Sequence, residues 1–139
     1  MKYGLLTIML CLGCQPGTDT PSPAPELGQN EKSLISHAVD IQPIWDESCT
    51  TGCHPGSDSM LSLEPDYAYK TMVGIPSVEV PLMDRVEPGD PDQSYLVHKI
   101  EDTHLSVGGM GFAMPSFSDL LGAEDIQLVR DWIDQGAAP

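Results

Sequence analysis

A chain of 139 residues with a net charge of −15 has room for one domain, and its acidity excludes nucleic acid and anionic lipid headgroups as binding surfaces. Six Lys and Arg stand against 21 Asp and Glu, a balance that steers instead toward basic patches on partner proteins. Four cysteines in so short a chain make the compartment the first question.

Met1-Lys2 is a minimal basic start, and 3–12 is an apolar run of about ten residues, the length of a signal-peptide core and too short to span a bilayer. It ends in Cys11-Leu12-Gly13-Cys14, which looks like a lipobox. Residues 1–13 are therefore expected to be a lipoprotein signal peptide, with Cys14 lipidated as the mature N-terminus; an ordinary secretory signal is the alternative. Either way the protein is exported, to the periplasmic or cell-surface face of a bacterial membrane, and Gln15 after Cys14 leans toward the outer membrane. Pro, Gly, Ser, Thr and acidic residues dominate 15–32, a composition that cannot build a core. The organisation is thus a lipid anchor and disordered linker over 14–32 and a folded domain over 33–139.

In that domain a first helix is expected over 41–48, with Asp40 as N-cap, Pro43 in the first turn and Ile41, Ile44 and Trp45 at helical spacing. It runs directly into Cys49-Thr50-Thr51-Gly52-Cys53-His54. After a Gly- and Ser-rich loop, a short helix spans 65–73 and Gly74 closes it from the C′ position. Residues 75–80 lie next to Pro76 and Pro81, so they are extended and at most a short strand. Pro88-Gly89-Asp90-Pro91 is a turn that starts a helix, with Asp90 as cap, Pro91 at N1 and Gln93 at the capping-box position. A Gly- and Met-rich loop covers 102–121. The last helix begins near Ala123, buries Ile126, Val129, Trp132 and Ile133, and stops at Gly136. The fold class is all-α: three or four short helices joined by long loops, with the first and last helices, each carrying a Trp, crossing and packing together. Loops of that length in a compact domain need a reason, and wrapping a cofactor supplies one.

Two cysteines followed at once by a histidine suggest covalent haem attachment, with thioethers to the two vinyl groups and an imidazole on the iron. Three residues separate the cysteines where two are usual, and Gly52 offers a permissive backbone for the extra one. A Cys49–Cys53 disulfide and a zinc site on Cys49, Cys53 and His54 are the alternatives; zinc lacks a fourth protein ligand. No catalytic constellation stands out, and the acids are scattered.

Helix, cysteine motif, loops, Met114-Pro115 and a final helix with Trp132 resemble a class I c-type cytochrome. Asp40-Ile41-Gln42-Pro43-Ile44-Trp45, Arg85-Val86-Glu87-Pro88-Gly89-Asp90-Pro91 and Asp131-Trp132-Ile133-Asp134-Gln135-Gly136 sharpen the likeness to small exported monohaem cytochromes of environmental bacteria, in which the attachment motif has two or three intervening residues. The resemblance covers 38–138. It implies a cytochrome c-like domain with one haem c attached through Cys49 and Cys53, and His54 as proximal ligand. It also implies an electron carrier rather than an enzyme, exchanging single electrons with redox proteins that present basic docking patches. Met114 is the expected sixth ligand, with Met110 as runner-up and His98 and His104 as substitutes, each otherwise a surface or capping histidine. Arg85, one of four Lys or Arg in 33–139, either contacts a haem propionate or makes a surface salt bridge. Met60, Met72 and Met83 are expected to fill core. Without an iron-bound Met114, the chain would be a haem-based ligand sensor or carrier; without haem, an interaction lipoprotein.

Overall fold

The computed structural model describes residues 33–50, 53–55, 61–116 and 119–139; the expected signal peptide 1–13, Cys14 and the 14–32 linker lie outside them, as do Gly52 and Met60. Among the described residues the chain is helical and forms no sheet, only three isolated bridges, and no helix is long and apolar enough to cross a membrane. Four α-helices follow in order: α1 (Gln42–Ser48), α2 (Ala68–Met72), α3 (Tyr95–Ile100) and α4 (Ala123–Asp134). A π-helical turn, His37–Ile41, leads into α1, and 3₁₀ turns cover Pro91–Gln93 and His104–Val107.

Several boundaries differ from the sequence expectation for local reasons. The chain enters its first helix at Ser36, not at Asp40; Asp40 lies within the π turn, and its carboxylate reaches back to accept the Ser36 N–H at 2.8 Å. Residues 64–67 form a turn closed on Glu64 O, so α2 begins only at Ala68, and Gly74 (φ 66°) follows its end as expected. The helix after Asp90 comes in two pieces. Asp90 caps the 3₁₀ turn by accepting the Gln93 N–H at 3.1 Å, and the extended Ser94 separates that turn from α3. The loop over 102–121 contains the unexpected 3₁₀ turn at His104.

The last helix matches its expectation most closely. Val129, Trp132 and Ile133 are buried and Ile126 packs against them. Its end is a Schellman motif: Ala137 N–H donates to Trp132 O at 2.9 Å and Gly136 N–H to Ile133 O at 2.8 Å, with Gly136 at φ 97°. A side chain at Gly136 would strain that left-handed turn. Arg130 ties α4 to its neighbours by pairing with Asp92 and, at 3.1 Å, with Glu101.

The core centres on Trp45 and Trp132, neither with any solvent exposure. They meet through His37, which no local pattern singles out. Its imidazole is buried, accepts the Trp45 Nε1–H at Nε2 (3.3 Å), and lies tilted against Trp132 with ring centres 5.5 Å apart. Accepting that bond needs a lone pair on Nε2, so the ring is neutral with its proton on Nδ1. The contact between the N-terminal part and α4 therefore runs through the π turn. It is closed by Ala138 O, which accepts both His37 N–H (3.0 Å) and Trp132 Nε1–H (2.8 Å).

Burial lowers the His37 pKa from its ordinary 6.5. The unfolded chain therefore binds a proton near pH 6.5 that the folded chain refuses, so stability is whole above that pH and declines below it, by at most about 1.4 kcal/mol per pH unit for one proton. Denaturant midpoints measured from pH 7.5 to 5.5 should fall for the native chain. His37→Gln, which keeps an acceptor for Trp45, should show a flatter dependence over the same range.

Candidate functional site

The end of α1 delivers the first cysteine. Cys49 and Thr50 both donate backbone N–H to Trp45 O, at 2.8 and 3.0 Å, which anchors the start of the motif on the buried tryptophan. The chain then folds back: His54 N–H donates to Cys49 O at 3.1 Å, and Leu63 N–H to His54 O at the same distance. The result places Cys49 buried, Cys53 exposed and His54 half-buried along one wall, with both cysteines as free thiols.

That wall borders a cavity of about 380 Å³, within the range of cofactor and small-molecule sites. Its apolar floor includes Trp45, Leu63, Met72 and Ile100. Cys49, Cys53, His54, Arg85, Met114 and Pro115 all line it, so residues far apart in sequence are brought to one apolar space. Met110 does not join them: its side chain is 64% exposed, and the loop presents Met114 to the cavity in its place. Met72 fills core as expected and Met83 is half-buried away from the cavity.

The histidines divide. His54 Nδ1 lies 3.3 Å from Leu61 O. A ring that donates its proton there leaves Nε2 as the lone-pair nitrogen, the arrangement that fixes the tautomer of a metal-ligating histidine. His98, in the last turn of α3, is spent on Thr103 Oγ1 (2.8 Å) and Asp92 O (3.1 Å), a structural role as expected. His104 departs from expectation. It is 1% exposed rather than on the surface, with Nε2 at 3.2 Å from Gly111 O. The 3₁₀ turn rolls it inward, away from the cavity.

Arg85 is half-buried on the cavity wall. Its Nη1 donates to Thr71 O at 2.6 Å, and among the described residues no carboxylate pairs with it. Burial holds its pKa below the ordinary arginine value. A guanidinium has donors beyond that one bond, so an anionic group entering the cavity would find a partly desolvated partner.

Sequence reasoning missed a cluster on the same wall. Lys99 is buried with Nζ 3.1 Å from Glu79 Oε2 and 5.7 Å from the centre of the Tyr95 ring. The Tyr95 hydroxyl donates to Glu79, and all three residues line the cavity. Burial pushes the Glu79 carboxyl up, but hydrogen bonds from Tyr95 and Met110 N–H and the Lys99 ammonium outweigh it and leave the pKa lowered. Tyr95 moves the other way, raised by burial and by the Glu79 carboxylate. The one local signal was a lysine at a position where α3 is buried on both sides, between Val97 and Ile100.

An imidazole, a thioether and two thiols on one apolar cavity form a donor set that fits haem: the thiols for its vinyl groups, the other two for its iron. Among the described residues no group of three or more His, Cys, Asp or Glu side chains is placed to hold a metal ion. Comparison with family models, curated proteins and solved structures finds no match to this chain.

The two thiols should differ sharply in haem-free, reduced protein. Burial first, and the neighbouring Cys53 second, push the Cys49 pKa up to about 11. At pH 8 that leaves on the order of one Cys49 in a thousand as thiolate. Alkylation followed by peptide mass should label the exposed Cys53 well ahead of Cys49; equal rates would mean that the wall around Cys49 opens in solution.

Proposed function

We propose that this chain is an exported, membrane-tethered monohaem c-type cytochrome that passes single electrons between redox proteins. The observation that carries the reading is the arrival of Cys49, Cys53, His54 and Met114 at one apolar cavity. Cys49 and Cys53 would hold the haem through thioethers, His54 would bind through Nε2, and Met114 would supply the far ligand. A haem bound there supplies a one-electron iron couple, whose potential a thioether ligand raises. The chain's own contribution is to exclude water with Trp45, Leu63, Met72 and Ile100 and to offer Arg85 as a partner for a propionate. If His54 and Met114 both held the haem, the site would suit electron transfer and would leave no place on it for a substrate. The tether is the lipid on Cys14, and the acidic surface favours partners with basic docking patches.

Maturing the chain with a cytochrome c assembly system tests this. The product should be coloured, carry one covalent haem by mass, and lose the covalent bond at one vinyl in Cys53→Ser. Met114→Ala should keep the haem but bind carbon monoxide when reduced, which the native form should resist. Colourless protein whose mass shows only a Cys49–Cys53 disulfide would end the reading. If instead the native reduced form takes up carbon monoxide freely, the protein is a ligand sensor or carrier.

Partner encounter should also be sensitive to salt. The Debye length contracts from about 30 Å at 0.01 M to about 8 Å at 0.15 M. Electron-transfer rates with a basic partner should therefore fall across that range, and a flat profile would remove steering by the net charge of −15.

A further inference from the structure

The loop that brings Met114 to the cavity has little apolar anchorage. Met110 and Phe112 are 64% and 67% exposed, so burial of its own side chains does little to fix it. Polar contacts hold it, and they converge on Lys99. The Lys99 carbonyl accepts Met114 N–H at 2.9 Å, while its ammonium donates to Met110 O at 2.7 Å and Phe112 O at 3.1 Å. One residue thus grips the loop at three points.

Glu79 completes the clamp. Its Oε2 lies 3.1 Å from Lys99 Nζ, accepts Met110 N–H at 3.0 Å and takes the Tyr95 hydroxyl bond. The loop backbone rests directly on this cluster, because a Cβ at Gly109 would collide with the Tyr95 hydroxyl and sit 2.8 Å from His104 O. Burying an ammonium is costly unless its donors are all used; here two carbonyls and a carboxylate use them. An aliphatic side chain would fill the same space without that cost, so packing alone does not account for a lysine here.

We infer that Lys99 and Glu79 are positioning residues for Met114, fixing the 110–114 backbone so that the thioether is presented to the cavity. The inference rests on Met114 as an iron ligand, and it goes further by naming what holds it there.

The test uses the full chain, matured with haem, as Lys99→Met, Lys99→Arg and Glu79→Gln. Two readouts apply: the thioether-to-iron charge-transfer band, with carbon monoxide uptake by the reduced form, and amide hydrogen exchange. Lys99→Met should weaken the band, admit carbon monoxide, and speed exchange at Met110 and Met114 by about tenfold or more, the loss of a charge-assisted hydrogen bond. Amides in α4 should be unchanged. Lys99→Arg should restore both readouts in large part, and Glu79→Gln should shift them in the Lys99→Met direction. If Lys99→Met does not fold, Glu79→Gln, which keeps shape and volume, decides alone. A native band and native exchange in the folded variants would overturn the inference. Should the native chain carry no haem, the proposed function fails separately, and exchange alone decides whether the clamp holds the loop.

Discussion

A neutral imidazole between two indoles holds this domain together. Helices of five to twelve residues are too short to persist alone in water, so their order comes from what they pack against. Trp45 brings α1 and the cysteine motif that follows it; Trp132 brings α4; His37 touches both and takes the Trp45 N–H. Were that nitrogen protonated, it would lose the lone pair, leave the Trp45 N–H unpaired and put a charge in the core. The position of Cys49 at the cavity wall depends on this joint, because its backbone is hydrogen-bonded to Trp45.

Around the joint, the short helices place their loops by a common device. The last carbonyls of any helix lack partners within it, and when helices are short those groups make up much of the element. Here they receive the loops. Thr71 O in α2 takes Arg85, Met72 O takes Val86 N–H, Lys99 O in α3 takes Met114 N–H, and Ile133 O in α4 takes Gly89 N–H. Each bond fixes a loop residue relative to a helix end, and two of them set residues on the cavity wall. Long loops can thus be well placed in a domain with no sheet among its described residues.

This division explains what could be read from the chain. α4 was legible because its stripe, its acidic first turn and Gly136 are all local signals. The cavity's cysteines and His54 were legible as a contiguous motif, and Met114 through its Pro115 and its place before the last helix. His37 was not, since a lone histidine before a helix carries no pattern, and its role needs Trp132 from the other end of the domain. Lys99 and Glu79 were hidden for the same reason: the clamp exists only once 79, 99 and 110 converge. His104 was misread because a lone histidine in a Gly-rich loop looks solvated, and only the 3₁₀ turn reveals that it faces inward. The break at Ser94 likewise reflects its hydroxyl, which bonds Asp90 O and Glu87 rather than continuing a helix.

The closure of π turn on α4 also bears on the order of events at the ribosome and after. Val129, Trp132 and Ile133 are core residues contributed by a segment synthesised after every other element of the domain. Until it emerges, His37 lacks the Trp132 ring it lies against and the Ala138 carbonyl its N–H bonds, so the joint that anchors Cys49 through Trp45 is incomplete. The burial that pushes the Cys49 pKa up is thus acquired only when the last segment arrives, so this thiol stays open to chemistry for longer than its place early in the domain would suggest.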